Sequence, residues 1–491
     1  MIQLGPWLPD LPDLNNPGLT TAKNVIPHEI SYKQFLGLST VSDACDDRVR
    51  GAIVVRDSNG NAYHFAGNAS KLYRMVDNVQ TDYSITGGYT TGANEIWQFV
   101  QWGDTVIATN YSDNIQQITL GGTQFADLAT SGTAPKARTL GVVKGFVVVG
   151  NTYDGTDGAV PYRVWWPAIE NPNSWPTPGS SSAVSVQSDY QDIFNGGGAV
   201  MGIIGGEYGT IIQERAISRM TYIGTPDIFQ FDTVDVSRGT IAPGSVVQLG
   251  RGIFYIAEDG FFLFDGIQSV PIGVNKVDKT FISDLNSAYY DRISAAVDPT
   301  NEVVMWAYPG SGSSGTADTI MIYHWPTQKW SKAVVDVEVL LKGYSLGYTL
   351  EGLDALSSSI DSLTYSLDSR AYTGGALQIG AYDSSHRYAT FSGSALSAVF
   401  ETAEYMLNPN QRTNLTSVTP YVDGGATTVQ IGYRNTQAGS VTWGSAITPQ
   451  TNEEAKCRVN AQYHRVRINA AAGFTHAEGV EITEASPAGR R

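Results

Sequence analysis

Cysteine, positive charge and long apolar runs are all scarce in this 491-residue chain. The two cysteines, Cys45 and Cys457, lie far apart and form no CxxC pair, which excludes a cysteine-built metal site and a disulfide framework. So few thiols suit a reducing cytosol. Charged residues make up only 16% of the chain, and acids outnumber bases to give a net charge of −16. Tight DNA binding needs clustered Lys and Arg to displace counterions from phosphate, and this balance argues against it. The same acidity also serves simply to keep a surface soluble. No apolar run reaches the length of about 18 residues that a membrane helix needs. The start, MIQLGPWLPDLPDLNNPG, has no basic opening, apolar core or small-residue cleavage site, so no secretory signal is expected.

What the chain has instead is glycine, 52 residues of it, spread with Ser, Thr, Asn and Asp between short runs rich in Val, Ile, Tyr and Phe. Runs of that length bounded by turn residues are strands. Examples are Ile53 to Val55 before Asp57-Ser-Asn-Gly60, Gly145-Phe-Val-Val-Val-Gly150, and Gly252-Ile-Phe-Tyr-Ile-Ala257 before Glu258-Asp-Gly260. Sustained 3.6-residue periodicity is nearly absent, so the chain is predicted to be mainly β.

Strand–turn–strand patterns begin near Ile53, Trp97, Thr139, Gly202, Gly252 and Val303, at roughly blade-length intervals. A four-stranded propeller blade takes about 40 to 50 residues, which predicts an irregular six-bladed β-propeller over residues 50–335. Residues 1–49 read as an arm packing on the propeller or on an adaptor protein. Residues 336–375 read as a linker in which Leu353, Ile360 and Leu367 fall seven apart, each followed by aspartate, with Leu356 and Leu363 between. Barely two heptads are too few for a coiled coil. The segment is either a docked linker or an amphipathic element facing a partner or a lumen. Alternation resumes over 376–491 and predicts a small β-sandwich. Tyr463, Arg465, Arg467 and Asn469 share one strand face there, and Val466 and Ile468 the other. Asp423-Gly-Gly425 is expected to turn a hairpin between Thr416–Val422 and Thr428–Tyr433.

Reactive constellations are not apparent. His28, His64, His324, His386, His464 and His476 fall in no HExxH or HxH spacing, so no metal site is expected. GxSxG and GxxxxGK[ST] are missing. Gly196-Gly-Gly-Ala-Val-Met-Gly-Ile-Ile-Gly-Gly206 lacks a phosphate-binding lysine and a following helix, and reads as a turn into a buried strand. Asp259 and Asp265 bracket one strand, too far apart for a glycosidase pair, and Asp46 and Asp47 are merely adjacent. In Val164-Trp-Trp-Pro-Ala-Ile-Glu-Asn-Pro-Asn-Ser-Trp175 the tryptophans are available to stack sugars or bases, but the strand places Trp165 and Trp166 on opposite faces, where packing in adjacent layers is favoured. No catalytic, cofactor-binding or metal residue is therefore nominated.

Several segments, in order, are familiar. They are Gly18-Leu-Thr-Thr-Ala-Lys-Asn-Val-Ile-Pro27 leading to Tyr32, Gly67-Asn-Ala-Ser-Lys-Leu-Tyr73, the Val164 to Trp175 run, and Ile256-Ala-Glu-Asp-Gly-Phe-Phe-Leu-Phe-Asp-Gly266. Tyr463 to Ile468 followed by Ala477-Glu-Gly-Val-Glu-Ile482 completes the set. In this order the chain resembles the tail nozzle, or tail hub, proteins of short-tailed bacteriophages, also called packaged-DNA stabilisation proteins. The resemblance implies a homohexameric ring in the virion tail below the head-to-tail adaptor, next to fibres, spikes or a plug. Such a ring holds the packaged genome and lets it leave without sequence-specific DNA binding, with no cofactor and no small-molecule substrate. An acidic lumen would repel phosphate and let DNA slide. A carbohydrate-binding tail component and a glycan-cleaving propeller enzyme are the competing expectations.

Overall fold

Strand residues throughout 51–344 point alternately to two faces, and the fold gives each face its own neighbour. The structure, a computed structural model, describes residues 2–344, 377–409 and 411–489. Within 345–376 it describes only 353, 357, 359–362, 366, 367 and 369, so half of the heptad segment, Leu356 and Leu363 included, lies outside the described residues.

Gly51–Arg56, Ala62–Gly67, Leu72–Val76 and Val79–Asp82 pair antiparallel in sequence order as a first four-stranded unit. Four more separate sheets repeat this arrangement. They begin at Gln98–Trp102, Lys136–Val143, Val200–Ile204 and Val247–Leu249. A sixth unit, Ser294–Asp298, Val303–Tyr308, Ala317–His324 and the first half of Lys329–Tyr344, lies inside a twelve-stranded sheet. Short β-segments of this kind need little helix; among the described residues the α-helices are Ser181–Val186 and Asp278–Asp284.

Successive units share apolar cores, as period-two alternation requires. Val55 and Phe65 of unit 1 meet Val106 and Ile118 of unit 2. Trp165, in unit 3, faces Ile107 of unit 2, while its neighbour Trp166 faces Ile211 and Met220 of unit 4. Ile212 of unit 4 meets Tyr255 of unit 5, and Phe261 of unit 5 meets Trp306 of unit 6 at 5.0 Å between ring centroids. This is the face-to-face packing of a β-propeller.

The sequence predicts six units ending at 335; the described residues contain a seventh. Lys329–Tyr344 runs through that boundary as one strand, pairing first with Ala317–His324 and then, from Val337 to Tyr344, with Leu377–Asp383. Leu377–Asp383 pairs with Arg387–Thr390, and that strand pairs with Ser39–Ala44 from the other end of the chain. One face of the seventh unit, Leu340, Ile379 and Ala381, packs on Met305 and Ile320 of unit 6. Its other face, Leu341, Tyr382 and Tyr388, packs on Val54, Tyr73 and Met75 of unit 1. Gly343 lies against Val54 closely enough that a Cβ there would meet Val54 Cγ2 at 2.8 Å. The ring of sheets is therefore closed by a strand from residues read as an arm.

The rest of that arm also joins sheets rather than merely packing on them. Ile2–Gln3, Val25–His28 and Ser31–Gln34 enter a sheet with Phe474–Pro487, Thr413–Gly424 and Ala455–Ala461. Leu19–Lys23 pairs with Ala398–Thr402 and, at Lys23, with Lys332 of unit 6. Ala398–Thr402, Tyr463–Ala470 and Thr427–Arg434 lie beside it, and the two sheets enclose Tyr32, Phe400, Leu415, Ile431, Ile468 and Phe474. The expected hairpin at Asp423-Gly-Gly425 is not formed. Both edges of Thr413–Gly424 are taken, by Phe474–Pro487 and Ala455–Ala461, so the chain crosses to the facing sheet. Gly424 (φ +82°) and Gly425 (φ +70°) supply the left-handed backbone for that crossing.

Two predictions follow from these joints. Ser42, buried in the closing strand, accepts from Tyr388 N–H (3.0 Å) and from Gln80 Nε2 (3.1 Å) of unit 1. Ser42→Ala leaves both donors buried and is expected to cost about 1–3 kcal/mol in urea unfolding. Asp278, 5% exposed, accepts Phe261 N–H through Oδ1, but its Oδ2 has no hydrogen-bond partner among the described residues. Burial, aided by the charges of Asp10 and Asp259, pushes its pKa from 3.8 up to about 7. The folded state therefore holds this proton where the unfolded chain has lost it, and stability falls as pH rises from about 4 to 7. Asp278→Asn is expected to be more stable than the wild type at pH 8 by about 1–3 kcal/mol, with no advantage at pH 4, in paired urea titrations.

Candidate functional site

The first strands of units 1 to 4 touch in succession, and those of units 5, 6 and 7 continue the ring back to unit 1. They surround an axis, and where these strands begin a cavity of about 320 Å³ opens. Its wall comes from four separate units and carries Glu95, Tyr111, Arg138, Glu214 and Asp291. Glu95 is fixed by Gly92 N–H (2.7 Å) and by the Ser112 hydroxyl, with Arg138 Nη2 at 3.9 Å. Arg138 lies 4.1 Å from the centre of the Tyr111 ring, a cation–π contact that holds the guanidinium against the wall. Asp291 Oδ2 is buried and has no hydrogen-bond partner among the described residues. Three carboxylates thus face one guanidinium, so the mouth of the axis is acidic. No sequence motif pointed to these residues, because they are spread over several units and only ring closure gathers them.

The residues weighed from sequence are dispersed. His64 is buried between Tyr382 and Tyr388, its ring 4.4 Å from that of Tyr388, and burial pushes its pKa down to about 3. His386 Nδ1 meets Glu338 Oε1 at 2.6 Å, His324 Nδ1 meets Thr327 Oγ1 at 2.7 Å, and His476 Nδ1 meets Ser31 Oγ at 3.2 Å. His28 lies beside His476, and His464 is buried in a strand of the carboxy-terminal region. Among the described residues, no three His, Cys, Asp or Glu side chains gather as metal ligands.

Asp259 and Asp265 flank Gly260–Phe264, as the sequence implied. Asp265 accepts Ile267 and Gln268 N–H groups, which hold its carboxyl below the usual range, and Asp259 pairs with Arg238 at 3.1 Å. Asp46 loses solvation, yet hydrogen bonds from Lys71, Tyr73 and Asn68 outweigh that and keep its carboxyl low. Asp47 caps Arg48 N–H at 2.7 Å. These are structural roles. Gly196 and Gly198 take left-handed backbone in a turn that leads into Val200–Ile204, not into a helix. Trp165, Trp166 and Trp175 are all buried, and Trp175 Nε1 donates to Pro172 O at 2.7 Å. This run therefore offers no exposed stacking platform.

No family model matches the sequence, and no curated protein is significantly similar to it. Among solved structures, the chain is similar to the computationally designed Ika8 protein, with 10% identity over 78% of this chain and 99% of that one, at a TM-score of 0.36. It is also similar to BamB from Moraxella catarrhalis, with 9% identity over 75% and 95% of the two chains and a TM-score of 0.33. For the WD40 domain of Neurospora crassa Pan2 the values are 7%, 74%, 96% and 0.40. Likeness this weak carries no argument beside the strand order and shared cores. No helix among the described residues is long and apolar enough to cross a membrane.

Cys45 is buried and Cys457 half-buried, and neither forms a disulfide. Burial, with Asp46 beside it, pushes Cys45 up to about 12, and burial pushes Cys457 up to about 11. At pH 8 roughly one molecule in a thousand or fewer is thiolate at either position. Both are expected to resist Ellman's reagent in the folded protein and to react within seconds in denaturant; rapid labelling of native Cys45 would contradict its burial.

Proposed function

We propose that this chain is a non-enzymatic structural protein of a bacteriophage tail, forming a ring of six below the head-to-tail adaptor and extending the passage for DNA. The observation that carries the reading is mechanical. One segment, residues 2–44, supplies strands to the closing unit and to both carboxy-terminal sheets, and pairs with unit 6 at Lys332. A part that must keep its shape while a genome passes gains from having its modules sewn together in this way. In this reading the seven units close as one seven-bladed propeller, and the two carboxy-terminal sheets form a sandwich fused to it.

Assembly needs surface that prefers a partner to water. Phe194 (79% exposed), Val236 (78%) and Ile267 (74%) stand out from the turns of units 3 to 5 and provide such contacts. The net charge of −16 suits a passage that repels phosphate and does not grip it. The buried tryptophans remove the clearest aromatic support for a carbohydrate-binding role.

Mass photometry and negative-stain imaging of the full chain, alone and mixed with a connector–adaptor complex, test the proposal. Six copies docked on the adaptor are expected, and Phe194→Glu combined with Ile267→Glu should abolish the ring while circular dichroism stays unchanged. A chain that remains monomeric beside the adaptor and cleaves a glycan would refute it.

A further inference from the structure

A second pocket, of about 200 Å³, lies at the joint where units 6, 7 and 1 meet. Its wall includes Arg48, Arg292, Thr316, Glu338, Ser384 and His386. These come from separate segments. Arg48 sits in the link between Ser39–Ala44 and Gly51–Arg56, and Arg292 immediately before Ser294–Asp298. Thr316 ends the turn before Ala317–His324, Glu338 lies on Lys329–Tyr344, and Ser384 and His386 form the turn between Leu377–Asp383 and Arg387–Thr390.

The charges in this pocket do not balance. Glu338 is its carboxylate, and both oxygens are engaged: Oε2 accepts Val49 N–H at 2.8 Å, and Oε1 meets His386 Nδ1 at 2.6 Å. Neither Arg48 nor Arg292 has a carboxylate within ion-pair distance among the described residues. Arg292 Nη1 donates to Gly315 O at 2.8 Å, and its guanidinium lies 4.5 Å from the Tyr289 ring centre, while its Nε is buried with no hydrogen-bond partner among the described residues. Burial, together with the neighbouring charges of Arg292 and Arg50, brings the Arg48 guanidinium down to about 10, although Asp291 and Glu338 pull the other way. In a chain whose acids exceed its bases by 16, two half-buried cations side by side with free donors are an unneutralised site.

We propose that this pocket binds a small tetrahedral oxyanion, of which inorganic phosphate is the type, and that the bound anion clips the propeller ring shut. Guanidinium forks match the oxygens of such an ion and make charge-assisted bonds to it. The cavity has room for one ion and a few waters, each taking about 30 Å³. An anion held between Arg48 and Arg292 ties the segment before unit 1 to the start of unit 6, across the joint that Ser39–Ala44 completes. The inference is independent of whether the ring belongs to a phage tail.

The test is thermal unfolding of the full chain in phosphate, sulfate and chloride at equal ionic strength, with phosphate binding measured directly by isothermal titration calorimetry. Phosphate at 10 mM is expected to raise Tm by about 2–4 °C over chloride, as mass action predicts for a ligand held near 0.1 mM. Sulfate should act in the same direction if tetrahedral shape and charge are what the site reads. Arg48→Gln and Arg292→Gln should each remove the phosphate-dependent rise and the calorimetric signal. In chloride, Arg48→Gln should melt no lower than the wild type, since it relieves repulsion between two cations. Should Arg292→Gln fail to fold, Arg48→Gln and the wild-type calorimetry still decide the question. Equal Tm in phosphate and chloride with no binding heat, or a rise that survives in Arg48→Gln, would overturn the proposal.

Discussion

The antiparallel pairing of Ser39–Ala44 with Arg387–Thr390 is the constraint on which the closed ring depends. It brings Ser42 against Tyr388 across 346 positions of sequence. Loop-closure entropy grows only logarithmically with length, about 0.6 kcal/mol per doubling, so the distance is affordable at equilibrium. The kinetic consequence is larger, because non-local pairing must wait until both ends exist and meet. Until then Arg387–Thr390 presents an open strand edge, which is a template for pairing with another chain. The packing behind this edge is dense and aromatic: Tyr382 and Tyr388 press on His64, whose buried ring stays neutral because the site gives no room to hydrate a charge.

The same segment carries the closure into the rest of the molecule. Asp10 accepts the Lys279 and Thr280 N–H groups at 2.8 Å each and so caps the short helix Asp278–Asp284. Asp13 reaches Arg465 at 2.6 Å, and Trp7 lies beneath the Lys332 ammonium. Residues 2–44 therefore act as a seam that joins units 6 and 7 to the carboxy-terminal strands, and loosening the seam at one end removes strand partners at the other. Propeller and carboxy-terminal sheets are coupled through hydrogen-bonded backbone, not through a linker, which makes relative motion between them costly.

What the sequence made legible was local. Alternation and turn residues located the strands of the first six units, and two adjacent tryptophans, Trp165 and Trp166, fell to opposite cores as period two demands. The seventh unit was hidden because its strands come from both ends of the chain. The strand Lys329–Tyr344 also serves two units without any glycine or proline at the change. Asp423-Gly-Gly425 misled for a related reason. A two-glycine turn permits a hairpin, but whether one forms depends on which strand edges are free, and that is decided by Phe474–Pro487 far downstream. Glu95, Arg138, Glu214 and Asp291 in the axial mouth, and Arg48 and Arg292 at the joint, share no spacing at all. Their proximity is a product of closure.

The distribution of charge follows from the same architecture. Arg163, nearly inaccessible, is forked onto Asp192 at 2.7 and 3.0 Å and also held by Asp157 at 2.6 Å. Arg434 is paired with fully buried Glu404, and Arg465 lies between Glu404 and Asp13. Each such pair withdraws a cation from the surface along with its acid. Because bases number 31 against 47 acids, every buried pair raises the ratio of acid to base among the residues left outside. The exterior is thus more one-sided than the net charge alone conveys. An under-neutralised cation pair at the ring joint gains weight against that background. In an acidic protein long-range attraction does not bring anions in, so whatever occupies the joint must be held by direct guanidinium contacts.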